Sequence, residues 1–244
     1  MGQHIEHCHK MAQIAQTAYL DGPEAKPRFK ALGYRQHHFI DIDGAQCHVI
    51  WNADEFVLAF RGTEPDEFSD IKADLNAIPD RANNGHGWVH NGFQEEVNKV
   101  WASIEKWLDK AKGKRFYITG HSLGGAMATI ATSRLADRVD ALYTYGSPRV
   151  GTRSFVNSFS HIPHYRHVNN NDVVPKVPFA VLGYRHTCAP RYINYYGNIR
   201  PNTYWQRVKD QWRGRLRAWQ KGVPFDGAYD HGMDHYVRYT EKNQ

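Results

Sequence analysis

The joint between residues 116 and 132 limits what this chain can fold into more than any other stretch. An apolar run, Phe116-Tyr117-Ile118-Thr119, passes through Gly120-His121-Ser122-Leu123-Gly124-Gly125 into small residues that continue to Thr132. The apolar run reads as a strand and the small residues as a helix, so the glycines fall at a strand-to-helix turn. Glycines flank Ser122 where side chains would clash, and small residues let the new helix press against the strand. The sequence around this unit repeats its logic. A strand over 115–119 leads into a helix over 123–137. A strand over 141–145 leads to a helix near Phe155, and a further strand covers 165–168. Strands alternating with helices imply a mostly parallel central sheet flanked by helices, with ligands bound beyond the carboxyl ends of the strands. Upstream, Asp43-Gly44 between runs at 38–42 and 45–51 predicts a hairpin. A buried strand follows at 55–61. Phe93, Val97, Val100, Trp101, Ile104, Trp107 and Leu108 then mark one face of a helix over 92–112, its tryptophans read as core. A first helix over 3–20 is read as closed by Asp21-Gly22-Pro23.

With 244 residues, 41% hydrophobic and 23% charged, the chain has material for one sizeable core, and 1–244 is read as a single domain. Its formal charge of +6, from 31 Lys and Arg against 25 Asp and Glu, is a modest excess. It suits an anionic surface or acidic substrate, and no nucleic-acid-binding motif accompanies it. The three cysteines, Cys8, Cys47 and Cys188, do not form a disulfide framework. Cys47 and Cys188 lie in strand-like runs and read as buried thiols. His4, His7, Cys8 and His9 lie close together without the spacing of a known ligand set, so they read as a solvated helix end. The first residues lack a basic region followed by an apolar one, and no run is long enough for a membrane-spanning helix. The expectation is therefore a cytoplasmic chain, or a secreted one where a leader has been removed.

Gly120-His121-Ser122-Leu123-Gly124 in this context is the pattern of a nucleophile elbow, with Ser122 as the nucleophile. A serine hydroxyl needs a base, and the base needs an orienting acid. Asp172 stands just past the strand at 165–168, in the run Asn169-Asn170-Asn171-Asp172, and fits the acid; the same polar run also suits an Asx turn. Two histidines follow in the right order for the base, His231 and His235, and the residues alone barely separate them. Oxyanion stabilisation needs two backbone N–H donors. Leu123, directly after the nucleophile, offers one, and Thr63, in the turn after the early strand, offers the other.

With these pieces assembled, the chain resembles the class 3 lipases, the fungal-lipase-like branch of the α/β hydrolases. The resemblance runs from about residue 56 to 236 and rests on six blocks in order. These are Phe60-Arg61-Gly62-Thr63, Asp70-Ile71-Lys72-Ala73-Asp74-Leu75, Val89-His90-Asn91-Gly92-Phe93, the Gly120 to Gly125 block, Gly146-Ser147-Pro148-Arg149-Val150-Gly151, and Asn171-Asp172-Val173-Val174-Pro175-Lys176-Val177-Pro178. It implies an α/β-hydrolase fold with Ser122, Asp172 and a C-terminal histidine as triad, and Thr63 and Leu123 as oxyanion donors. Similar bacterial members end in Asp-His-Ser-Met with a tyrosine soon after. Asp230-His231-Gly232-Met233, followed by Tyr236, matches that ending and favours His231. The resemblance also implies a short lid over about 64–78, with Asp74 bonding Thr63 when the lid opens. Glu64, Asp66, Glu67, Asp70, Lys72 and Asp74 make this lid polar, which weighs against strong interfacial activation.

A last segment, about 203–221, has Trp205, Val208, Trp212, Leu216 and Trp219 on one helical face and basic residues on the rest. It reads as a basic amphipathic insertion docked by its tryptophans, or as a contact with an anionic membrane surface. The expected function is carboxylic ester hydrolysis through an acyl-enzyme, with acylglycerols as leading substrates and neither metal nor organic cofactor implied. Phospholipase A1, feruloyl-type or short-chain esterase activity shares the same motifs. A non-catalytic lipase-like binding module is the alternative of another class.

Overall fold

The computed structural model describes residues 2–63, 78–200, 203, 205, 209, 210, 213 and 229–244. Strands that are apolar on both faces need cover on both sides, and the centre of this chain is built from such strands. Among the described residues an eight-stranded sheet runs in the order β1 (Gln36–Ile42), β2 (Ala45–Trp51), β3 (Glu55–Phe60), β6 (Arg115–His121), β7 (Ala141–Tyr145), β9 (His164–Asn169), β11 (Arg191–Ile193) and β12 (Ile199–Arg200). From β3 to β11 neighbouring strands are parallel, and β1, β2 and β12 pair antiparallel at the edges. Along β3, Phe56, Leu58 and Phe60 enter one core while Val57 and Ala59 enter the other. β6 and β7 divide in the same way, with Phe116, Ile118 and Leu142 on the first side and Tyr117, Tyr143 and Tyr145 on the second.

Helices cover each side. α1 (Gly2–Thr17) and α2 (Gly22–Ala31) cover the second core with the last helix, α6 (Met233–Lys242). α3 (Asn91–Glu105) and α4 (Leu123–Arg134) cover the first. α3 buries Phe93, Val97, Val100 and Ile104 of the predicted stripe but ends at Glu105, short of the expected 112, and Leu108 lies in a separate 3-10 turn, Leu108–Ala111. α4 is buried from Gly124 to Ser133, all the way round, because it lies between the sheet and α3. A short helix, α5 (Arg153–Asn157), follows β7. The strands β4 (Pro79–Arg81), β5 (Trp88–His90), β8 (Gly151–Thr152) and β10 (Tyr184–Arg185) form a small antiparallel sheet, ordered β10-β8-β5-β4.

Several expectations are corrected. The helix read over 3–20 is α1, but a second helix that the sequence reading did not include follows it, because Asp21-Gly22-Pro23 opens α2 as well as ending the approach to it. Asp21 takes the N-cap position with Pro in the first turn, where a missing N–H costs nothing. The cluster at His7, Cys8 and His9 is not a solvated end. Cys8 and His9 are buried, and the His7 ring packs edge-on against Tyr117; the side chain of His4 lies outside the described residues. Cys188 sits in the loop between β10 and β11 rather than in a strand, and is only half-buried.

The predicted lid falls almost wholly outside the described residues, since 64–77 are not among them. Only Thr203, Trp205, Lys209, Asp210 and Arg213 of the basic insertion are described. Trp205, expected on the docked face, is 69% exposed, whereas Asp210 is buried and accepts a bond from the Tyr192 hydroxyl at 2.9 Å.

Candidate active site

β6 ends at His121 and α4 begins at Leu123, which leaves Ser122 alone in the bend. Its backbone takes φ 54° and ψ −127°, a region that costs a residue with a side chain about 1–3 kcal/mol. Hydrogen bonds hold it there. The Ser122 N–H donates to the Tyr145 carbonyl at 3.0 Å, and its own carbonyl accepts from Gly125 N–H at 3.0 Å. A Cβ on Gly124 would lie 2.3 Å from the Phe60 carbonyl oxygen and 2.8 Å from that of Arg61. The absence of a side chain therefore lets the start of α4 touch the chain leaving β3. That contact brings the turn 61–63, with half-buried Thr63, beside the elbow. Leu123 opens α4, so its N–H is one of the first-turn donors that no carbonyl within the helix can take.

Asp172 follows β9 and is fully buried. Its Oδ1 accepts from Val174 N–H at 2.9 Å, the Asx turn that the polar run suits, and both carboxylate oxygens lie 3.0 Å from His231 Nδ1. Turn and histidine partner are thus served by one side chain. His231, 5% exposed, lies on the loop before α6. A Cβ on Gly146 (φ +58°) would stand 2.8 Å from Asp172 Oδ2 and 2.9 Å from the His231 ring, so glycine is what lets the end of β7 pass this pair. His235 is inside α6, against Tyr229 and Tyr239, and makes no bond to Asp172.

Sequence reasoning assigned no role to four residues here, Tyr236, Asp230, His121 and Tyr19. The Tyr236 hydroxyl donates to Asp172 Oδ2 and accepts from Asn169 N–H at 3.0 Å. Burial and the adjacent carboxylate push its phenol well above the usual range, so it stays a donor. The Asp230 carboxylate accepts from Asn170 Nδ2 at 2.7 Å and Asn171 N–H at 3.1 Å, while its carbonyl accepts from Asn169 Nδ2 at 2.9 Å. These bonds stitch the loop bearing His231 to the loop bearing Asp172. His121 Nε2 lies 2.8 Å from the His231 carbonyl, its Nδ1 lies 2.7 Å from the Tyr19 hydroxyl, and its ring stacks on His231 at 4.5 Å. Asp230, Tyr236 and His121 stand inside motif blocks that the sequence shows, but only as positions in a pattern, and nothing in the sequence marks Tyr19. Asp74 lies outside the described residues.

A model of the family described as "Lipase (class 3)" matches residues 57–182, which include Ser122 and Asp172. The chain is 36% identical over 200 residues to Toxin TseL of Vibrio cholerae, covering 64% of this chain and 31% of that protein. It is 45% identical over 114 residues to Secreted mono- and diacylglycerol lipase 1 of Fusarium solani, covering 43% and 33%. It thus spans about a third of the length of these curated relatives. Among solved structures, the Rhizomucor miehei lipase propeptide complex superposes with a TM-score of 0.67 at 24% identity, covering 79% of this chain and 69% of that one. A mutant form of MDLA from Penicillium cyclopium gives 0.68 at 21%, covering 84% and 85%. The architecture is the α/β-hydrolase fold that these structures share. With more than half of its residues inside the matched model, the chain belongs to the class 3 lipase family.

Proposed function

We propose that the chain is a carboxylic ester hydrolase of the acylglycerol type, working as one hydrolase unit through Ser122, His231 and Asp172. One observation carries this reading: a serine held at positive φ in a strand-to-helix bend, with a buried histidine–carboxylate pair beside it across Gly146. Ser122 Oγ attacks the ester carbonyl carbon while His231 Nε2 takes its proton. Asp172 fixes the imidazole through Nδ1 and stabilises the imidazolium. The N–H groups of Leu123 and Thr63 stabilise the oxyanion. Collapse expels the alcohol, which receives the proton from His231. Water, deprotonated by the same base, then attacks the acyl-enzyme, freeing the acid and Ser122. A lid over 64–78, with Asp74 bonding Thr63, belongs to this reading on the family resemblance alone.

A second reading, phospholipid esters cleaved in the manner of a phospholipase A1, has its own observation. Just beyond Asp172, Phe179, Val181 and Leu182 are 63%, 89% and 56% exposed, between exposed Lys176 and Arg185. An apolar tip with a basic collar suits an anionic bilayer surface. The sequence expectation of a cytoplasmic site stands against relatives named as secreted lipases, and fractionation of the native host decides between them.

The test is hydrolysis of glycerol esters, phospholipids and feruloyl esters over a range of acyl lengths, with Ser122→Ala alongside. Turnover of long-chain acylglycerols that disappears in the variant supports the first reading, and phospholipid preference the second. A maximum on short soluble or feruloyl esters makes the chain an esterase. Silence of the unmodified chain on every ester overturns catalysis and favours a lipase-like binding module.

A further inference from the structure

His121 precedes the proposed nucleophile, and its protons can be placed by elimination. A carbonyl only accepts, so the contact to the His231 carbonyl requires the proton on His121 Nε2. Burial, with His231 alongside, holds this imidazole well below its usual range, so the ring is neutral and Nδ1 is left as an acceptor. The Tyr19 hydroxyl, 2.7 Å away, is therefore the donor in that pair. Each polar atom of the ring has a fixed task.

Asp172 restrains His231 only at Nδ1, and a ring held at one edge can still tip about that edge. Two further contacts oppose the tipping. The His231 backbone is tied at its carbonyl, and the His121 ring lies against the His231 ring at 4.5 Å with 28° between planes. Both come from the residue adjacent to Ser122, on the same β6–α4 bend. Nucleophile and base are thereby referenced to one rigid joint, although 109 positions of sequence separate them. Resting on the proposed ester hydrolysis, we propose that His121 is a positioning residue for His231: Nε2–H holds the His231 carbonyl, the ring face sets the plane of the His231 imidazole, and Tyr19 locks the tautomer that makes this geometry. Tyr19 and His231 both lie outside the 57–182 stretch shared with the family model, so this brace draws on the two ends of the chain.

Three variants of the full chain separate the tasks. His121→Phe keeps a ring and removes both polar atoms. His121→Gln keeps a donor near the ε position, and Tyr19→Phe removes only the tautomer lock. Because small misplacements of a reacting group are costly, kcat should fall about 10- to 100-fold in His121→Phe and several-fold in Tyr19→Phe, with KM within about twofold. His121→Gln should recover part of the loss. The second readout is the titration of His231, followed by NMR of histidine-labelled protein. Its midpoint should move in His121→Phe and return toward the unmodified value in His121→Gln. Unchanged kcat and an unchanged His231 titration in the folded variants overturn the proposal. Should His121→Phe not fold, the other two variants carry both readouts. If the unmodified chain hydrolyses no ester, the proposed function falls, and the His231 titration alone decides the positioning role.

Discussion

The carboxylate of Asp172 takes hydrogen bonds from Val174 N–H, Tyr236 and His231. A buried acid satisfied by three donors has little freedom, and neither does the imidazole bound to it. Replacing His231 with Ala should therefore lower kcat by about 10³-fold or more, as loss of a triad base does. His235→Ala should stay within a few-fold, and the opposite result, read in steady-state kinetics, would transfer the role of base. Tyr236→Phe removes one donor from Asp172 and the acceptor for Asn169 N–H, so it should destabilise the fold by about 1–3 kcal/mol and slow turnover measurably. Chain order and a strand end pointed to Asp172 as the candidate acid, and its place in a polar Asn run implied the turn that Val174 N–H closes on it. Tyr236 figured in the sequence only as the tyrosine that follows the C-terminal motif, with no sign of what it bonds. Its bond to Asp172 spans 64 positions, and a tyrosine on an amphipathic helix looks the same whether it fills a core or serves a carboxylate.

Elements were legible in proportion to how local their causes are. Asp43 (φ 49°) and Gly44 (φ 80°) fix the hairpin register, with Ile42 opposite Ala45, through two residues whose backbone preference is written in their identity. The joint at Ser122 was legible for the same reason. α2 was missed because Pro23 signals both an end and a beginning. β4, β5, β8 and β10, of two or three residues each, are too short to show a period and exist through their partners. α1 reveals its amphipathic face, yet what it covers is set by the far side of the sheet. Ile14, fully buried on that face with Met11 and Ala15, carries much of the docking. Ile14→Ala should cost about 2–5 kcal/mol, seen as a lower urea midpoint.

Across the folded chain, burial opposes protonation of many histidines at once. It lowers His37 to about 4, and His48, His167 and His186 to about 3, with neighbouring positive groups adding to the effect. Unfolded histidines titrate at about 6.5. As the pH falls below that value the unfolded chain takes up protons that the folded one refuses. Stability is thus fully present above about pH 6.5 and is lost progressively toward roughly pH 4 to 3. Urea midpoints at pH 7.5, 6 and 5 should fall in that order. His48→Phe, with the new ring between Phe29 and Phe39, should flatten the slope by about one proton; an unaltered slope would mean that His48 titrates in the folded state. Placement of the thiols has a different consequence. Cys8 is buried and pushed up to about 11, Cys47 is buried and pushed up further, and Cys188 alone is half-exposed. Alkylating reagents attack thiolates they can reach, so a short pulse of iodoacetamide should add one adduct to a folded molecule and three to an unfolded one. The mass spectrum of a pulsed sample becomes a clock for global opening, with the number of adducts as its dial.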